Sequence, residues 1–160
     1  MQIFLAYVIV TIVGFVSALA VGGGAAFWFA IVWFVGLVIL SLVLGAYAKR
    51  QIDLAHSADP PTIQQVIESH FSGVGWKNVQ GDGLMNFQSR GIGINSWNSK
   101  NPVVSVSLSP TVDGGTEVSI WMSEWMTRTG IVSSCDRVVS KRWTLLRKLA
   151  ALEGESEVRL

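Results

Sequence analysis

The side chains in this sequence that could carry out chemistry are few, and their spacing argues against most reactions. His56, His70 and the single Cys135 stand far apart with no HxxxH or CxxC spacing, so a metal site of the usual kinds lacks ligands and no cofactor is expected. No GK[ST] phosphate loop, G-x-S-x-G elbow or strand-linked G-x-G-x-x-G occurs; Gly91-Ile92-Gly93 in RGIGINSW lacks the third glycine and a following helix. His70 reads as the polar flank of an amphipathic helix. The sequence nominates no catalytic residue.

What remains are residues suited to binding. The loop GIGINSWNSKN, Gly91 to Asn101, carries Trp97 amid glycine, asparagine and serine; such a loop binds a partner or is a long hairpin connection with an anchor ring. In EVSIWMSEWM, Trp121 and Trp125 are four apart. With Trp76, Ser105 and Ser107 they would make an aromatic and hydroxyl-rich recognition surface if one sheet face is bare. The run RVVSKRWTLLRK places Arg137, Lys141, Arg142, Arg147 and Lys148 close together. With Lys49 and Arg50 these could meet anionic lipid at a membrane surface, or form an ordinary solvated helix face. A net charge of +1 argues against a large phosphate footprint, so nucleic acid is not expected as a partner.

The elements that must position these residues divide the chain in two. Residues 1–48 contain no Lys, Arg, Asp, Glu or His; all 12 basic and 11 acidic residues follow. The apolar runs Ile3 to Val21 and Ala25 to Ala48 would span about 28 and 36 Å as helices, against a hydrocarbon core of about 30 Å. Gly22 to Gly24 between them permits a tight reversal. The expectation is a transmembrane helical hairpin over 1–48. A signal peptide is the rival reading for the first run, given Ala18-Leu19-Ala20, but MQIF supplies no positive start and the run is too long. Gly14 with Ala18, Ala26 with Ala30, and Ser41 with Gly45 are small-xxx-small pairs, which would pack the two spans together or make dimers. Lys49-Arg50 after the second span place both termini in the cytoplasm by the positive-inside rule.

Lys49 to Asp59 reads as a polar connector. Asp59-Pro60-Pro61 starts an amphipathic helix to Ser72, with Ile63, Val66, Ile67 and Phe71 on one stripe. Period-two runs at Trp76–Gln80, Leu84–Arg90, Val103–Ser109 and Thr116–Ser123 flank Gly-Asp clusters and read as two hairpins. Ile131 to Leu152 has apolar residues at helical spacing. The expected fold is therefore a membrane protein whose hairpin precedes a small α+β domain over 60–153. Its order is α-β-β-β-β-α, an antiparallel sheet with two helices on one face, then an acidic frayed tail over 154–160.

These features suggest a multi-pass protein of the cell (inner) membrane that is a non-catalytic interaction or adaptor module. Its partners would be the lipid bilayer and another protein or a second copy, and it could be a subunit of a larger membrane complex. The alternative is a small membrane-active protein of the holin-like or superinfection-exclusion type. An unrecognised enzyme comes third.

Overall fold

The computed structural model describes residues 2–90, 101–128, 131, 132 and 134–157. Two apolar helices come first, α1 (Gln2–Val21) and α2 (Gly23–Lys49), joined at Gly22. Only Gly22 lies outside helix; its φ of 129° is a conformation open to glycine but not to L side chains. The expected three-glycine turn thus shrinks to one residue, because Gly23 and Gly24 enter the first turn of α2. Gly14 of α1 packs on the Phe29 ring of α2, so the helices run antiparallel. Among the described residues one helix, Gly24–Lys49, is long and apolar enough to cross a membrane, and Ile9–Val21 is a shorter apolar stretch. Large apolar side chains point outward all around this pair, Phe15, Trp28, Phe34 and Tyr47 among them.

The segment expected to be a connector is a strand. β1 (Ile52–His56) runs antiparallel to β5 (Thr116–Glu124), Ile52 opposite Ile120 and His56 opposite Thr116. With β2 (Trp76–Asn78), β3 (Met85–Ser89) and β4 (Val103–Pro110) it completes an antiparallel five-stranded sheet in the order β1-β5-β4-β3-β2. The sequence reading of four strands missed this edge. The other four strands and α3 (Pro60–Phe71) fall close to where periodicity places them. Pro60 opens α3, and Asp59 accepts a 2.6 Å hydrogen bond from the Thr62 hydroxyl.

One sheet face is covered by α3 and α4 (Cys135–Glu157). Val104, Val106, Val118, Ile120 and Phe87 of the sheet, Ile63, Ile67 and Phe71 of α3, and Val138, Leu145 and Leu149 of α4 share one buried cluster. Alternation along β5, with Val118, Ile120 and Met122 inward, is the pattern of a sheet with a single buried face. Trp76 belongs to this inner face. It pairs with Ser89, two residues beyond inward-facing Phe87, and its ring meets Phe71 edge-on at 5.1 Å.

α4 starts later and ends later than expected. Ile131–Val132 is a strand (β7) paired with β6 (Thr127–Arg128), and the helix runs through Gly154 to Glu157. The Val132 side chain closes on Gly45 of α2, a Cβ there lying 3.4 Å from it. Ala48, in the last turn of α2, is fully buried in the core of the α+β part. The apolar helix is therefore not tethered beside the domain; its end is part of that domain's packing.

Candidate interaction surfaces

The junction between α2 and the sheet is held by Arg142. It lies on the inward stripe of α4, four residues after Val138 and three before Leu145, so its side chain enters the core and is 2% exposed. Nη1 donates to Ala48 O at 2.8 Å, and Nη2 donates to Arg50 O at 2.5 Å and, longer, to Ile120 O at 3.3 Å. The first two acceptors are carbonyls at the C-terminal end of α2, where the helix has no further amides to satisfy them and its dipole favours a cation. Nε has no partner among the described residues. Burial pushes the pKa of this guanidinium below its ordinary value; an arginine stays charged even so. Arg142 is thus removed from the expected membrane-surface set, since it is enclosed and committed to backbone carbonyls. Beside it, Lys49 Nζ sits 5.4 Å from the centre of the Trp125 ring. Trp125, 42% exposed, is a clasp on the end of α2.

The outer sheet face is half covered. The turn through Gly83 folds over it so closely that a Cβ on Gly83 would lie 2.8 Å from Val106 O. Asn86 fastens that turn, accepting from Gly83 N at 2.9 Å and donating to Gly83 O at 2.8 Å. Beneath it Ser105 is fully buried, donating to Asn86 Oδ1 at 2.6 Å with Ser123 Oγ at 2.7 Å. Ser105 is therefore interior, and Trp76 is on the opposite face altogether; neither belongs to an open recognition surface. The uncovered part lies over β1 and β5. Trp121 and Ser107 are half-buried there, and Asp53 accepts from Gln51 Nε2 and from Ser119 Oγ, both at 2.7 Å. Those two hydrogen bonds, Gln51 first, hold the Asp53 carboxyl below the usual range.

A third feature is a shallow groove of about 220 Å³ between the end of α3 and the first half of α4, lined by His70, Trp76, Arg137, Ser140, Lys141 and Thr144. His70 Nε2 lies 3.1 Å from Lys141 O, and Lys141 Nζ returns a 2.5 Å hydrogen bond to His70 O. Burial, then the positive charges of Lys141 and Lys148, push the His70 pKa down to about 4 despite the hydrogen bond to Lys141 O. Burial and Lys148 also lower that of Lys141. Arg147 turns elsewhere, over the exposed Trp143 ring at 4.8 Å.

His56, which sequence reading left in a connector, is buried and structural. The Ala58 amide donates to Nδ1 at 2.9 Å, which leaves Nε2 to carry the proton toward Leu149 O at 3.0 Å. Cys135 is buried, and burial followed by Asp136 raises its thiol pKa. Of the small pairs, Gly14 packs on α2, Gly45 packs on β7 rather than α1, and Ala26 is buried; Ala18 and Ser41 are half-buried and Ala30 is exposed. Trp97 and the rest of 91–100 lie outside the described residues. The described residues hold no group of three or more potential metal ligands. Comparison of the chain with family models, curated proteins and solved structures gives no match.

Proposed function

We propose that this chain is a membrane-anchored interaction module. In this reading α1 and α2 cross the membrane together as a hairpin with both termini in the cytoplasm, and the α+β domain stands on the inner leaflet. The observation that carries it is the junction. Ala48 in the domain core, and Arg142 on the last carbonyls of α2, join an apolar helix to a polar domain without slack. A membrane helix so built into a domain holds that domain at a fixed height and orientation. The surface on offer to a partner is then the uncovered part of the sheet over β1 and β5, around Trp121, Ser119 and Asp53, with aromatic and polar groups of the kind that anchor protein interfaces.

The test uses the full chain with Cys135→Ser and a single cysteine at Ser119. A membrane-impermeant maleimide should label position 119 only when the cytoplasmic side is accessible, and a crosslinker placed there should give a discrete adduct that Trp121→Ser abolishes. Labelling from the outside refutes the orientation, and absence of any adduct refutes the interaction surface. Membrane potential at high expression separates this reading from a lesion-forming protein: an adaptor leaves it intact.

A further inference from the structure

We infer that Trp125 and the β6–β7 hairpin form a foot of the α+β domain that beds in the lipid headgroup layer of the leaflet where α2 ends. The inference rests on the membrane-anchored reading and adds a lipid-facing surface to it. Three observations converge.

Level comes first. α2 contacts β5, β7 and α4. Lys49 Nζ lies over the Trp125 ring, and one turn earlier Gly45 meets Val132 of β7. Gly45 precedes Lys49 by about 6 Å along the helix axis, so the hairpin descends beside the apolar part of α2. Thr127 pairs with Val132, which brings β6 to the same level. The domain does not begin where the apolar helix stops; it overlaps the last turn.

Rings are the second. Trp28 and Tyr47 are both exposed on α2, about 28 Å apart along the axis, close to the roughly 30 Å of a hydrocarbon core. Exposed side chains between them, Ile31, Phe34, Ile39 and Leu42 among them, are apolar. Tryptophan and tyrosine collect at the two boundaries of such a core. Ala48 faces the interior of the domain, and its two neighbours point about 100° to either side of it, Tyr47 outward on one flank and Lys49 to Trp125 on the other. The fold thus carries an indole from the end of β5 to the level of Tyr47, and the two rings flank the end of the helix.

Backbone is the third, and it limits the depth. Among the described residues β6 and β7 pair only with each other, and a two-stranded ribbon keeps unpaired amides and carbonyls along its outer edges. Hydrocarbon does not accept such edges. The headgroup layer, about 5–7 Å thick on each side, holds water that satisfies them, and the drop of about 6 Å from Lys49 to Gly45 matches that layer. The hairpin reaches the acyl boundary and stops there.

The experiment uses the full chain with Cys135→Ser in phosphatidylcholine vesicles. One nitroxide is placed by Ile39→Cys, Val112→Cys, Trp125→Cys or Thr127→Cys, and depth is read by electron paramagnetic resonance from the ratio of oxygen to nickel-chelate accessibility. Ile39 is exposed on α2, Thr127 is exposed on β6, and Val112 is exposed in the turn at the other end of β5. The ratio should fall in the order 39, 127, 125, 112, with position 127 about 9 Å shallower than position 39 and position 112 fully aqueous. Because Trp125→Cys removes the ring that meets Lys49, Thr127→Cys, which leaves it in place, is the decisive variant. A label at 127 as aqueous as the one at 112 overturns the foot. Spin–spin broadening at 127 that disappears on dilution with unlabelled protein overturns lipid as the occupant in favour of a second copy. Position 39 tests the anchoring separately: a label in the acyl region there with an aqueous 127 loses the foot alone, and an aqueous label at 39 loses the anchoring and the foot together.

Discussion

Replacing Arg142 by methionine tests whether the guanidinium holds α2 to the sheet. The variant keeps most of the stem's volume and removes the donors to Ala48 O, Arg50 O and Ile120 O. Hydrogen bonds to a charged group contribute about 1.5–3 kcal/mol each, so the two short ones together give about 3–6 kcal/mol, and the 3.3 Å bond adds little. The cost of burying the guanidinium offsets part of this, and its Nε, which has no partner among the described residues, adds to that cost. The net expectation is a loss of about 3 kcal/mol, or a fall in Tm of about 12 °C or more for a domain of this size. Arg142→Lys keeps the charge but reaches only one carbonyl, so it should lose about half as much. The assay is thermal and urea unfolding of full-length protein in detergent, followed by tryptophan fluorescence and near-ultraviolet circular dichroism. A methionine variant within about 1 kcal/mol of the native chain would refute the reasoning, because packing alone would then hold the junction as well as the charge does.

Three further expectations follow from geometry. The neutral His70 of the folded state has its pKa depressed from 6.5 to about 4, so the unfolded chain takes up a proton first. Stability should be full above about pH 6.5 and fall as pH drops toward 4, and His70→Gln should flatten that decline in a pH series of urea midpoints. Gly115→Ala would drive a Cβ into the His56 carbonyl oxygen, a backbone obstacle that cannot move alone. It should cost about 1–3 kcal/mol and raise amide exchange along β1 most. Trp121→Ser removes a half-buried ring on the uncovered part of the sheet and should leave a cooperative transition, lower by about 1–2 kcal/mol; a loss above about 4 kcal/mol would make the ring part of the core.

Local pattern was enough to read most elements and too little to read their partners. The glycine break, the α3 stripe and the alternation in VVSVSLS each depend on neighbours in sequence, and each matches an element. β1 was hidden because IDLAH is short and flanked by charge, and only pairing with β5 makes it a strand; the alternation of Ile52 and Leu54 with Asp53 was the available signal. Arg142 was hidden among basic neighbours, although its place between Val138 and Leu145 puts it on the apolar stripe of the helix, where a charge must find buried acceptors. The face of Trp76 could not be read locally. It depends on the pairing of Trp76 with Ser89 across the turn at Gly83, and a shift of one residue exchanges the faces.

The passage from Lys49 to Ile52 leaves only Arg50 and Gln51 between helix and sheet, and Arg142 bonds the carbonyl of the first. A shaft fixed this way transmits torque. Each residue inserted into α2 would turn everything beyond it by about 100° about the helix axis. The bearing of Trp121 around the α2 axis is therefore set by the length of that helix.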